Sequence, residues 1–149
     1  MPTATNHEAR FGGIGRLYGT SGLDLLRNSR MAVIGIGGVG SWAAEALARS
    51  GVGTIILMDL DDLCITNTNR QIHALASTIG QSKTEAMAAR IREINPEAEI
   101  ISLNSFYTAS NAEKLLETKP DVIIDAIDSL APKAHLIATC YRSKQLLVT

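Results

Sequence analysis

The stretch Gly35-Ile-Gly37-Gly38-Val-Gly40 matches G-x-G-x-x-G between an apolar run and a segment of helical period. In that setting glycines let backbone N–H groups approach phosphate at a helix N-terminus, whereas glycines needed only for tight strand-to-helix packing would bind nothing. The loop alone does not separate a mononucleotide from a dinucleotide. Asp59 follows 19 residues after Gly40, about where an acidic side chain accepts a hydrogen bond from a ribose hydroxyl. Its competing role is a solvated carboxylate at a strand end. Asp61 and Asp62 suit a polar turn, and the pattern does not assign both a role.

Asn67, Arg70 and Gln71 stand at i, i+3 and i+4, so on a helix they would share one face and meet one ligand. A solvated helix start explains them equally well. Lys83 heads a helical segment, where a cation opposes the macrodipole unless an anion is nearby. Asp125 and Asp128 flank the end of an apolar run, at the edge where open α/β sheets bind ligands. A carboxylate there can hold Mg²⁺ through few direct bonds plus waters and phosphate oxygens. Asp128 could instead cap the next helix, with Ser129 as competitor and Pro132 in the first turn. His73 and His135 read as surface or satisfied histidines, and Trp42 as packing.

Parallel strands and helices are needed to bring these residues to one edge, and the pattern supplies them. Strands are expected at Met31–Ile34, Thr54–Met58, Glu99–Leu103, Val122–Ile124 and Leu146–Val148, each short and apolar. Helices are expected at 39–49, Lys83–Ile94, Asn111–Glu117 and Ala134–Tyr141, with Gly51 and Asn95-Pro96 as stop signals. The polar stretch 61–81 interrupts this alternation. The fold class is α/β, Rossmann-like, with a mostly parallel sheet and helices on both faces. Residues 1–22 are expected to form an N-terminal arm of irregular backbone, because Gly12, Gly13, Gly15, Gly19 and Gly22 crowd it and no core is evident for it to join. Residues 23–149 form the nucleotide-binding domain. Since the sequence stops inside a strand, the chain is expected to be the N-terminal part of a longer enzyme.

Composition supports one globular domain: 149 residues, 46% hydrophobic and 19% charged. A net charge of -1 gives no global field for nucleic acid, although a local basic groove would be hidden in that sum. Cys64 and Cys140 lack partners at metal or disulfide-framework spacing and read as buried thiols in a reducing cytoplasm. No apolar run approaches the length of a membrane span, and the first ten residues lack the apolar core of an export signal.

Taken together, Gly35 to Gly40, Asp59-Leu-Asp61, Asn67-Thr-Asn-Arg70-Gln71, Lys83 and Asp128 resemble the ThiF/MoeB/HesA family of ubiquitin-activating-like adenylating enzymes, over about Arg10 to Thr149. The resemblance implies ATP bound with Mg²⁺, and a substrate carboxylate converted to an acyl-adenylate with loss of pyrophosphate. By position, Gly35, Gly37, Gly38 and Gly40 form the nucleotide loop, and Asp59 looks like the ribose ligand with Asp61 beside it. Asn67, Arg70 and Lys83 look like phosphate ligands supported by Gln71, and Asp128 like the metal ligand. Arg70, Lys83 and Asp128 are thus the catalytic candidates. Fixed cations and a metal would neutralise charge that develops as pyrophosphate leaves.

Within the family, Arg10-Phe-Gly-Gly-Ile-Gly-Arg16-Leu-Tyr-Gly19, Thr66-Asn-Thr-Asn-Arg-Gln-Ile-His73 and Asp125-Ala-Ile-Asp-Ser129 look most like the branch that dehydrates threonylcarbamoyladenosine in tRNA. Sulfur-carrier adenylators usually begin Arg-Tyr-x-Arg-Gln, whose second arginine reaches the partner subunit's ATP site. Gly13 occupies that position here, so Arg10 or Arg16 must substitute. Those enzymes also tend to carry Cys-Thr-Asp-Asn where this chain has Ala126-Ile-Asp128-Ser129. The resemblance therefore implies a cytoplasmic homodimer acting on tRNA, with a sulfur-transfer or sulfur-carrier protein as a further partner. Three other functions compete: adenylation of a ubiquitin-like sulfur carrier's C-terminus, an NAD-dependent dehydrogenase, and a noncatalytic nucleotide-binding module. The dehydrogenase leaves Asn67, Arg70, Gln71 and Lys83 without a purpose.

Overall fold

A computed structural model describes residues 6–149, so residues 1–5 of the expected arm lie outside the described residues. The elements are α1 (Asn6–Asn28), β1 (Arg30–Ile34), α2 (Gly40–Arg49), β2 (Thr54–Met58), α3 (Lys83–Ile94), β3 (Glu99–Leu103), α4 (Ala112–Glu117), β4 (Val122–Asp125), α5 (Leu130–Ser143) and β5 (Leu146–Val148). The strands form one sheet in the order β3-β2-β1-β4-β5, and every neighbouring pair is parallel. This is the expected α/β class.

Alternation along the central strands loads two cores. Ala32, Ile34, Ile56 and Met58 face Leu115 of α4 and Leu136 and Cys140 of α5. Val33, Ile55 and Leu57 face Ala44 and Ala48 of α2 and Met87 and Ile91 of α3. The side-chain period of two in a strand produces this split, and burial on both faces explains why the strands read as continuous apolar runs. Because β1 leads to one side of the sheet and β4 to the other, their carboxyl ends border the crevice where such sheets take ligands.

The arm departs from expectation. It is helical throughout the described residues, and α1 runs through the boundary expected at residues 22 and 23, with a break only at Gly19 (φ 79°, ψ 166°). Its core also exists. His7 and Phe11 lie one turn apart and are buried, with His7 Nε2 3.0 Å from the Gly51 carbonyl oxygen and the two rings 4.7 Å apart. Glycine in a helix costs up to about 1 kcal/mol relative to alanine, and burying an aromatic side chain offsets more than one such residue. Cys140 is buried as expected, whereas Cys64 is exposed, because it lies in the polar excursion between β2 and α3 rather than in a core element. Among the described residues, no helix is long and apolar enough to cross a membrane.

Candidate functional site

The glycine loop is built from the sheet upward. The Gly35 N–H donates to the Met58 carbonyl (2.8 Å), continuing the β1–β2 ladder, and φ then turns to +89°. A side chain at Gly35 would meet the Ala126 carbonyl oxygen at 2.7 Å, and one at Gly40 would meet the Gly35 carbonyl oxygen at 1.7 Å. These two glycines permit the turn and the seating of α2 on it. Gly37 and Gly38 instead line a pocket of about 680 Å³. The N–H groups of Gly37, Gly38 and Val39 have no acceptor among the described residues, and Val39 offers α2 no side-chain cap. Free donors at a helix start, open to a cavity, form an anion cradle.

Asp59 is buried at the carboxyl end of β2. Its Oδ2 accepts the Ile36 N–H (2.7 Å) and its Oδ1 the Asp61 N–H (2.8 Å). The carboxylate is thereby fixed to the glycine loop, and each oxygen keeps acceptor capacity toward the pocket it lines. It is not a solvated strand-end carboxylate.

Asn67, Arg70 and Gln71 do meet at the pocket, without a regular α-helix. Asn67 ends a single 3-10 turn (Ile65–Asn67), and Arg70 and Gln71 follow through turn hydrogen bonds to the Asn67 carbonyl (3.1 and 2.9 Å). The Asn67 side chain accepts the Cys64 N–H (2.9 Å), so its amide holds the turn. The Arg70 guanidinium donates to the Thr66 carbonyl and to Asn69 Oδ1, both at 3.0 Å, and its aliphatic stem passes close to Gly38. Gln71 is buried with Oε1 unpaired, and its Nε2 lies near Gly37. The anion expected near Lys83 is Asp61, 3.1 Å from Nζ. Lys83 is buried on the pocket wall, and its own N–H donates to the Asp61 carbonyl.

On the opposite wall, Asp125 and Asp128 differ. Asp125 is taken: Lys133 Nζ (2.7 Å), the Thr149 hydroxyl (2.9 Å) and the Ile127 N–H (2.9 Å) all donate to it. Asp128 lines the pocket and makes no hydrogen bond among the described residues. Ser129, not Asp128, sits at the cap position of α5. The capping role considered for Asp128 is therefore absent.

Phe106, Tyr107 and Thr108, from the loop after β3, complete the pocket together with Ala126 and Ile127. No spacing rule marks them in the sequence, because their approach depends on strand order. His135 is satisfied as expected, 3.0 Å from the Tyr107 hydroxyl. Two other residues differ from expectation. Trp42 is 53% exposed, and its Nε1 donates to the Arg70 carbonyl (2.9 Å). His73 is 1% exposed and faces the Ile36 backbone, yet neither ring nitrogen has a partner of good hydrogen-bond geometry.

Burial first, then the charges of Lys83 and Arg90, push His73 down to about 4 from an ordinary 6.5. The unfolded chain therefore takes up this proton before the folded one does. The corresponding stability is fully present above about pH 6.5 and is lost as the pH falls toward 4, by about 1 kcal/mol per pH unit at most. His73→Leu should flatten that part of the curve. Urea titrations from neutral to acidic pH would show it, and an unchanged slope in the variant would refute it.

A family model described as the ThiF family matches residues 13–149. The tRNA threonylcarbamoyladenosine dehydratase of Escherichia coli (strain K12) is 55% identical over 140 residues, 94% of this chain and 52% of that protein. The Haemophilus influenzae enzyme of the same name is 50% identical over 149 residues, all of this chain and 57% of its own length. The solved Escherichia coli dehydratase in complex with ATP superposes with a TM-score of 0.96 at 52% identity, covering all of this chain and 61% of that one. The chain thus spans between half and two thirds of the length of these relatives. A parallel sheet with a glycine cradle at its crevice is common to many nucleotide-binding proteins, but the match over most of these residues is specific: the chain belongs to the ThiF family.

Proposed function

We propose that the full-length protein is a cytoplasmic, ATP-dependent adenylating enzyme that activates the carboxylate of threonylcarbamoyladenosine in tRNA, leading to cyclic dehydration. The observation that carries this is the convergence of Arg70, Lys83 and Asp128 on the pocket that the glycine cradle opens into. A dinucleotide dehydrogenase has no use for two cations and a free carboxylate there. A relative that is 55% identical bears the dehydratase name, and a solved dehydratase of the same fold holds ATP, which supports this acceptor over a sulfur carrier.

In this mechanism the N–H groups of the cradle receive the phosphates, and Asp59 receives the ribose. Arg70 and Lys83 are placed to hold the phosphate charge as pyrophosphate departs. The substrate carboxylate oxygen attacks the α-phosphorus, the bond to the bridging oxygen breaks, and pyrophosphate leaves with its electron pair. The carbamoyl group of the same modification then attacks the activated carboxyl carbon, loses a proton to solvent and expels AMP as the ring closes. Mg²⁺ fits Asp128, whose carboxylate is unengaged, and not Asp125, which Lys133 neutralises. When bound there it would offset phosphate charge.

The working state proposed is a homodimer in which an arginine of α1 completes the partner's site. Arg10 is held on its own subunit by the Ile94 carbonyl (3.4 Å) and Asn6 (3.1 Å), while Arg16 has no hydrogen-bond partner among the described residues, so Arg16 takes that role. Calorimetry tests the nucleotide assignment. ATP with Mg²⁺ should bind at micromolar concentration, and NAD should not compete. Tight NAD binding without ATP binding would overturn the proposal.

A further inference from the structure

The net charge of -1 hides a local concentration of cations far from the cradle. α2 and α3 both run from the carboxyl edge of the sheet to its amino edge, and their last turns meet the start of α1. There a second pocket of about 470 Å³ is lined by Arg10, Phe11, Arg49, Arg90, Glu93 and Ile94. Beneath it lies Glu45, only 5% exposed. Arg49 Nε donates to Glu45 Oε1 (2.8 Å), while Arg90 donates through Nε to Oε2 (2.6 Å) and through Nη2 to Oε1 (3.1 Å). Burial would raise the Glu45 carboxyl, but the bonds from Arg90 and Arg49 outweigh it and hold the group below the ordinary carboxylate range.

One carboxylate cannot neutralise two guanidiniums, and Arg10 leans only on neutral partners, Asn6 Oδ1 and the Ile94 carbonyl. Even with Glu93 counted, three cations face two anions in this pocket. Both terminal nitrogens of Arg49, Nη1 of Arg90 and Nη2 of Arg10 have no partner among the described residues. Guanidinium donors held in place by a buried carboxylate are preorganised, and their planar geometry suits phosphate oxygens.

A second feature lies on the same helix. Trp42 is 53% exposed and stands two turns before Arg49, hence on the same face of α2. An open aromatic surface about 10 Å along the same helix face from an arginine suits a nucleic-acid strand, because every base can stack on it whatever its sequence. The ten residues of α2 separate the cradle from the arginine pocket by about 15 Å, a span that a folded RNA covers easily.

We propose that this arginine pocket, with Trp42 as stacking platform, binds the RNA substrate through a backbone phosphate remote from the reacting base. The proposal rests on the RNA reading of the function given above. The test is fluorescence anisotropy of the full-length protein with a labelled anticodon stem–loop RNA, alongside calorimetry with ATP and thermal melts. Arg49→Glu and the milder Arg49→Gln both keep the Arg90–Glu45 clamp. Arg49→Glu should weaken RNA binding about tenfold or more, with a smaller loss for Arg49→Gln. The salt dependence should flatten by roughly one phosphate contact, while ATP affinity stays unchanged in both and Tm falls only slightly, more for Arg49→Glu, whose charge repels Glu45, than for Arg49→Gln. RNA binding by both variants equal to that of the unaltered protein would overturn the pocket alone. Absence of RNA binding by the unaltered protein would overturn both the pocket and the RNA substrate.

Discussion

Gly40→Ala should unfold or severely destabilise this protein, whereas Gly37→Ala should leave it folded and unable to hold ATP. The two glycines belong to one motif but meet different surroundings. A methyl group at position 40 would stand 1.7 Å from the Gly35 carbonyl oxygen and 3.2 Å from the Ala126 side chain, so backbone would have to move. That backbone carries β1 into α2, and a clash of this kind belongs with the costliest single substitutions, roughly 4 kcal/mol or more. For a domain of this size the Tm would fall by about 15 °C. At position 37 the nearest atom to an added methyl is Gln71 Nε2 at 3.9 Å, an ordinary contact, and φ is not positive. The fold therefore accepts alanine there, but the methyl fills space that a phosphate needs. Melts paired with ATP calorimetry should show loss of stability for Gly40→Ala, and at Gly37→Ala a normal melt with at least tenfold weaker binding. If Gly40→Ala melts like the unaltered protein, the close packing of α2 on the glycine turn is wrong.

What the sequence made legible follows from how locally each feature is determined. Short apolar runs predict strands, and Thr54–Met58, Glu99–Leu103 and Leu146–Val148 form over those residues. Lys83–Ile94 likewise forms over the expected residues, closed by the local signal Asn95-Pro96. The glycine-rich part of the first helix was not legible, because its glycines argue against a helix one by one and its support is distant in sequence: His7 reaches Gly51, and Arg10 reaches Ile94. Phe106, Tyr107 and Thr108 escaped for a related reason. They follow β3, the edge strand of the order β3-β2-β1-β4-β5, and alternation of elements does not state which strand neighbours which. His73 looked ordinary because nothing local to it announces burial. The motif residues, by contrast, were placed together by spacing and resemblance, and all of them except Gly40 line the larger pocket.

On the proposed function, Arg70→Ala, Lys83→Ala and Asp128→Ala in the full-length protein should each slow adenylation by on the order of a hundredfold or more while changing stability by about 1 kcal/mol or less. The stability half follows from what each side chain supports. Asp128 bonds to nothing among the described residues, so its removal strands no partner. The exposed hydrogen bonds of Arg70 to Thr66 and Asn69 can pass to water, and Trp42 holds Arg70 by its carbonyl, which alanine retains. Lys83 is the most demanding of the three because it is buried, but its partner Asp61 is half exposed and can be rehydrated. The rate half follows from timing. Charge on the leaving pyrophosphate grows only as the bond breaks, so a fixed cation or a metal-binding carboxylate acts mainly on the transition state and its loss appears in kcat. The assay is ATP-dependent cyclisation of threonylcarbamoyladenosine in tRNA, read as the mass loss of one water, with melts run on the same preparations. Near-normal cyclisation by all three variants would mean that the pocket walls do not carry the reaction. Loss of activity that tracks loss of folding would assign them to structure instead, contrary to the exposure of Arg70 and Asp128 and to the half-exposed partner of Lys83.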